Sequence, residues 1–207
     1  EYFKMSIPSA RSCPNAELAY RIPALAIDPE TTLVINCAGR TRSIIGAETL
    51  RQCGFSNPIL ALRNGTQGWA LGGFTLDHGI HSEPLPLIDS KARVQAAKSA
   101  KNLITRLALP QISSETLKKW KKDPKRTTYI FDVRTEEEFL AGHWPGAQHA
   151  PGGQLVQATD QYLAIRNARI VLCDDTGLRA ATTAMWLRGM GHDVSILGED
   201  VSQAMTS

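Results

Sequence analysis

The chain has 207 residues, 43% of them hydrophobic and 21% charged, with a net charge of +3. That length favours two domains over one, and the balance of residues excludes a disordered chain. No apolar run approaches ~18 residues, which excludes a membrane span, and the mild charge leaves no broad footprint for nucleic acid. The one basic cluster, Lys118-Lys119-Trp120-Lys121-Lys122, reads as a solvated helix end. Cys13, Cys37, Cys53 and Cys173 form no CxxC pair and no disulfide framework, which points to a reducing compartment, the cytoplasm. His78 and His81 are close in sequence, but nothing beside them completes a metal site, and no metal is expected.

In chain order, Ser6-Ile7-Pro8-Ser9-Ala10 reads as a turn, and Asn15 as the cap of a short helix that stops by Pro23. Leu33-Val34-Ile35-Asn36 is a short apolar strand of the kind buried on both faces. Ile44 to Gln52 has a helical pattern that ends at Gly54, and Pro58 to Leu62 is a second buried strand. Asn64-Gly65-Thr66-Gln67-Gly68-Trp69 then reads as a glycine-rich turn closing a strand–helix–strand unit of parallel α/β type. An extended linker follows over His81 to Pro86, and Asp89 caps a long amphipathic helix that ends before Pro110. A second unit opens at Ile112. Its signals are a helix over Ser114 to Trp120, a buried strand over Thr128 to Arg134, and a capped acidic helix start at Thr135. A strand over Arg169 to Cys173, a helix over Thr182 to Arg188 and a last strand over Asp193 to Leu197 complete it.

The stretch that carries chemistry is Cys37-Ala38-Gly39-Arg40-Thr41-Arg42-Ser43, set between an apolar strand and a helix start. A loop folded onto a helix N-terminus points backbone N–H groups inward and adds partial positive charge. Both favour thiolate over thiol, and Arg40 and Arg42 push the same way. The same donors would hold any anionic group attached to, or attacking, the sulfur. The plain alternative is a small buried cysteine at a strand end.

The two units are copies. Sliding the sequence by 137 positions places Leu33-Val34-Ile35 on Ile170-Val171-Leu172, Arg42 on Arg179, Leu50 on Leu187 and Gly54 on Gly191, without a gap. Glu1 falls on Glu138, so the first copy lacks a counterpart of Gln111 to Glu137. The first copy is therefore expected to be N-terminally incomplete, with an unpaired sheet edge, and the chain to be a fragment of a longer tandem protein. The domains are read as 1–80, a linker and connecting helix over 81–110, and 111–207. In the second copy Asp174 stands at the place of Cys37 and Ala180 at that of Ser43, while Arg179 is kept. Cys173 falls on Asn36 and reads as core.

Asp132-Val133-Arg134 to Phe139, then Gly142-His143-Trp144-Pro145-Gly146-Ala147, resembles the opening signature of rhodanese domains. Cys37 to Ser43 is similar to their C-x-x-x-x-R-S active-site loop, and Gly65 to Trp69 to their closing Gly/Trp turn. One departure is that Gly39 comes second after Cys37 and Arg40 third, where the common loop has glycine third. The resemblance implies an α/β fold of two domains, each a central, mainly parallel sheet flanked by helices. It also implies sulfane-sulfur transfer from thiosulfate or a persulfide donor to cyanide or a thiol, through a persulfide on Cys37 and without a cofactor. In that scheme Cys37 and Arg42 are catalytic, and Ala38, Gly39, Arg40, Thr41 and Ser43 line the substrate cradle. Ser43 is read equally as a loop hydrogen-bonder or as the cap of the next helix, and Trp69 as a pocket wall or, more simply, core. The second copy is expected to be inactive. The partners expected are small sulfur donors and acceptors, or a protein sulfur acceptor. Two rival readings are a sulfur-relay or binding scaffold with little small-molecule turnover, and a cysteine-dependent phosphatase. The phosphatase pattern places five residues between Cys and Arg, against four here.

Overall fold

The structure, a computed structural model, describes residues 2–25 and 27–198. Glu1, which the repeat pairs with Glu138, and residues 199–207 at the end of the second copy lie outside the described residues. The chain divides into two compact units, Glu1–Ala92 and Arg93–Ser207, so the division falls inside the stretch read as a linker.

The first unit contains α1 (Asn15–Arg21), a 3-10 turn over Ile22–Leu25, β1 (Leu33–Ile35), α2 (Thr41–Gln52), β2 (Ile59–Ala61) and α3 (Gly65–Leu71). Strands β1 and β2 are parallel, with Leu33 opposite Ile59 and Ile35 opposite Ala61, and α2 is the crossover between them. Asn15 does not cap α1, whose N-cap is Pro14 without a side-chain bond. Its side-chain N–H instead donates to the Arg42 carbonyl at 2.7 Å, tying α1 to the start of α2. The two helices approach so closely at Gly46 that a Cβ there would lie 2.6 Å from Asn15 Oδ1 and 2.9 Å from Leu18 Cδ1. Residues 65–71 are helical rather than a turn, because α3 completes its first turn with partners from another segment, described below.

The second unit carries α4 (Ser90–Arg106), β3 (Gln111–Ile112), α5 (Ser114–Lys121), β4 (Thr128–Asp132), α6 (Glu136–Ala141), β5 (Gln148–His149), α7 (Gly152–Gln157), α8 (Thr159–Tyr162), β6 (Arg169–Cys173), α9 (Leu178–Gly189) and β7 (Asp193–Leu197). Its five strands among the described residues are all parallel, in the order β3-β7-β6-β4-β5. Asp89 Oδ1 accepts from the Ala92 N–H at 2.7 Å at the head of α4, and Ala96, Ala100 and Leu103 form the buried face of that helix. Thr135 and Glu138 close a capping box on α6, each side chain taking the other's backbone N–H. The strands β3 and β5 have two residues each, too short to show a period in the sequence.

The duplication reaches hydrogen-bond detail. Helices α2 and α9 both have 12 residues and begin and end at matched positions of the repeat. Both close on a left-handed glycine, Gly54 at φ 82° and Gly191 at φ 88°. After each, Phe55 and His192 donate back to Leu50 and Leu187. The sheets differ. Strand β6 is paired on both sides, by β4 and β7, whereas β1 is paired among the described residues by β2 alone. The expectation of strands buried on both faces fails in the first unit: Val34 and Leu60, opposite each other, are 54% and 55% exposed. Their counterparts Val171 and Leu197 are 0% and 5% exposed, in a cluster with Leu117, Ile130 and Trp144. Leu117 comes from α5 and Ile130 from β4.

Candidate active site

The Cys37 loop leaves the end of β1 and runs into α2, whose N-cap is Arg40. Its carbonyls are held from behind by the start of α3. The Thr66 N–H donates to Cys37 O at 2.9 Å, and the Gln67 N–H donates to Ala38 O at 3.0 Å. These bonds satisfy two N–H groups that a helix start otherwise leaves open, which is why a glycine-rich segment is helical here. Asn64 preceding it is left-handed, at φ 57°.

The sulfur meets the first turn of α2 instead. Cys37 is half-buried, and its thiol donates to Ser43 Oγ at 3.6 Å while that hydroxyl donates to Arg40 O at 2.8 Å. When the thiol proton leaves, the Ser43 hydroxyl is placed to turn its hydrogen onto the sulfur. Burial pushes the Cys37 thiol up, but the Ser43 hydroxyl, the backbone N–H groups of Ser43 and Gly39, and the Arg42 charge together outweigh it. The thiol is thereby held below its ordinary value. Cys13 and Cys173 go the opposite way: burial, helped by Glu17, pushes Cys13 up to about 12, and burial with the charges of Asp132 and Asp174 pushes Cys173 well up. Cys173 is fully buried core.

Of the residues singled out in the sequence, Ser43 bonds the Cys37 sulfur directly, and the N–H groups of Gly39 and Ser43 and the charge of Arg42 lower its thiol. Ala38 contributes a carbonyl to the rear of the loop, and Arg40 and Thr41 are solvent-exposed at its rim. The capping role for Ser43 is not what the structure holds. Helix α2 starts at Thr41, which makes Ser43 its third residue, and Arg40 caps it without a side-chain bond. Trp69 is neither fully buried nor bonded to the loop: its ring packs on Phe74 and its Nε1 donates to Thr75 O at 2.8 Å. Sequence reasoning missed three supports, Asn15, Asn36 and Thr66. Asn36 Nδ2 donates to Thr66 Oγ1 at 3.3 Å, and that hydroxyl donates to Cys37 O at 3.4 Å.

In the second copy the equivalent cradle is filled by the chain itself. Asp174 is buried and accepts from the Gly177 N–H at 2.7 Å and the Arg179 N–H at 3.0 Å, one on each carboxyl oxygen. The Arg179 guanidinium, wholly buried, meets Glu138 at 2.6 Å and Asp175 at 2.7 Å, with Asp174 at 3.9 Å. Glu138 is also the capping-box acid of α6, so this arginine joins the loop to β4's exit. Asp175 is held in turn by Arg93 of α4 at 2.9 Å. Burial pushes the Asp174 carboxyl up to about 6, and Arg179 and the two loop N–H groups only partly oppose it.

A family model described as a rhodanese-like domain matches residues 1–71 and again 113–203. No curated protein sequence matches the chain. Among solved structures, a thiosulfate sulfurtransferase from Pseudomonas aeruginosa is 45% identical and superposes with a TM-score of 0.94. That match covers 100% of this chain and 39% of the other, so this chain spans well under half the length of that protein. A rhodanese-like domain protein from Staphylococcus aureus is 26% identical, with a TM-score of 0.36 over 46% of this chain and 90% of its own.

Proposed function

Because the chain belongs to the rhodanese-like domain family, twice over, we propose that it is the cysteine-bearing part of a sulfurtransferase that carries sulfane sulfur on Cys37. The observation that carries this reading is a half-buried sulfur bonded to the Ser43 hydroxyl at the head of α2, with its thiol lowered by two loop N–H groups and the Arg42 charge. Such a set favours the thiolate, and it suits a persulfide, whose negative charge sits one bond further out.

The chemistry is a double displacement. The Cys37 thiolate attacks the outer sulfur of thiosulfate, a new S–S bond forms, and the old S–S bond breaks with its electron pair leaving on sulfite. Cyanide or a thiolate then attacks the outer sulfur of the persulfide, and the electron pair returns to Cys37. Gly39 and Ser43 N–H groups hold the charge, Ser43 Oγ follows the sulfur as it ionises, and Arg42 supplies the fixed positive field. No cofactor enters, since sulfur is itself the transferred group. Mass spectrometry of the chain after thiosulfate treatment tests this. One added sulfur on Cys37, removed by cyanide as thiocyanate, is the expected result, and an unmodified Cys37 overturns it. Comparing cyanide with a protein thiol as acceptor separates small-molecule turnover from a protein relay.

Arg40 is read as the residue that meets the donor's charge at the rim. Because its side chain is exposed, the contact is worth about 1 kcal/mol or less. Arg40→Ala is therefore expected to raise KM for thiosulfate roughly fivefold while leaving an uncharged persulfide donor unaffected. Equal losses on the two donors in steady-state kinetics would remove Arg40 from that role.

A further inference from the structure

The reading of Cys37 as the sulfur carrier leaves open what turns the loop N–H groups toward the sulfur. We propose that Gly65 and Thr66, at the start of α3, are positioning residues for that loop: Gly65 leaves room for α3 to approach, and Thr66, with the Gln67 N–H, holds the loop carbonyls so that the N–H groups beyond them turn the other way. In a trans peptide the C=O of one residue and the N–H of the next point in opposite directions. Drawing Ala38 O back onto the Gln67 N–H at 3.0 Å therefore sends the Gly39 N–H the opposite way, and that N–H is among the groups that lower the Cys37 thiol. Cys37 O is drawn back in the same way, by the Thr66 N–H at 2.9 Å and the Thr66 hydroxyl at 3.4 Å. The hydroxyl is itself oriented by Asn36 Nδ2 at 3.3 Å.

Gly65 makes that approach possible. A Cβ at this position would collide with the Cys37 carbonyl oxygen and lie 2.5 Å from the Gly39 carbonyl oxygen. Both neighbours are backbone, with no flexible side chain to give way. Gly65 is also left-handed, at φ +56°, so any side chain is strained there whatever the space. Gly54 separates the two effects, because it is left-handed at φ +82° with nothing within 4 Å of a Cβ.

The test is alkylation of Cys37 by iodoacetamide, a neutral probe, followed across pH with the modified residue located by mass spectrometry and folding checked by circular dichroism. The variants are Gly65→Ala, Gly54→Ala, Thr66→Val and Thr66→Ser. Gly65→Ala is expected to move the midpoint of the alkylation curve up by roughly one pH unit, which slows the reaction about tenfold at pH values below that midpoint. Thr66→Val is expected to slow the reaction roughly threefold, as loss of one weak hydrogen bond would. Thr66→Ser and Gly54→Ala are expected to keep the unaltered curve, the latter with lower stability only. Should Gly65→Ala fail to fold, the Thr66 pair decides alone. Unaltered curves in folded Gly65→Ala and Thr66→Val, or in Thr66→Val alone, overturn the proposal. The readout needs no sulfur donor, so failure of the sulfur-carrier reading registers separately, as absence of a persulfide in the unaltered chain.

Discussion

Replacing Cys37 with serine is expected to abolish sulfur loading and transfer while leaving the fold in place. A serine hydroxyl is nearly isosteric with the thiol, and the half-buried position already tolerates a polar neighbour, Ser43 Oγ at 3.6 Å. Stability should therefore change by less than about 1 kcal/mol, as for substitutions that open no cavity and strand no charge. Chemistry is another matter. The thiolate is both nucleophile and carrier, and a serine alkoxide is inaccessible near neutral pH because nothing in the loop acts as a strong base toward it. The Gly39 and Ser43 N–H groups and Arg42 all stabilise a negative sulfur, and none of them withdraws a proton. The turnover of thiosulfate and cyanide should fall to the uncatalysed rate, with an unchanged thermal transition. Retained turnover in the purified serine variant would move the carrier to another residue. Cys13 and Cys173 are poor candidates for that, since burial holds both thiols protonated.

Why the loop was legible in the sequence, and its supports were not, follows from where the forces originate. Cys37, Arg42 and Ser43 lie within seven residues, and the adjoining strand and helix carry their own apolar signals, so local chemistry was enough. The strands β6 and β7 were read to the residue because each is an apolar run buried by neighbours on both sides. The same reasoning erred on Val34 and Leu60, since an apolar run says that a sheet face is fit to be covered, not that it is covered. It erred on α3 because the two bonds that fix its first turn come from Cys37 and Ala38, about 30 residues earlier, and local propensity sees only two glycines. Of the two roles open to Ser43, the loop hydrogen bond holds and the cap does not, for a local reason. The helix begins two residues before it, so its hydroxyl is inside the first turn and bonds backward to Arg40 O instead of capping. Asn15 carried only a capping signal, which pointed to the wrong partner, and Asn36 carried none, because the sequence does not say whether an asparagine's amide meets water or a distant carbonyl or hydroxyl.

The second loop is expected to load no sulfur, so that the chain carries one cyanide-releasable sulfur and none once Cys37 is removed. A carboxylate has no sulfur to extend, and the Asp174 carboxylate already occupies the cradle that would hold an incoming anion. Two loop N–H groups and the Arg179 guanidinium are committed to the chain's own acids, Asp174, Asp175 and Glu138. Removing the acid with Asp174→Ala leaves the Gly177 and Arg179 N–H groups without their acceptor, a loss of about 3 kcal/mol. Sulfate or chloride should recover part of that loss by filling the vacated cradle. Asp174 also writes itself into the pH profile. Its folded-state pKa of about 6 lies above the ordinary value of 3.8, so the native state binds the proton more tightly than the unfolded chain does. The stability this confers is fully present below pH ~4 and is lost as pH rises through ~6, amounting to about 3 kcal/mol for a shift of this size. An asparagine in its place has no proton to lose. The difference between the unaltered chain and Asp174→Asn therefore isolates the group from carboxylates such as Asp123, whose pKa is lowered and whose contribution runs the other way. Chemical denaturation at pH 4, 5, 6 and 7 should show that difference falling steadily across the window. A flat difference would mean that the carboxyl is ionised throughout. A sulfur stoichiometry near two, or sulfur on Cys173, would mean that the second loop is chemically active after all.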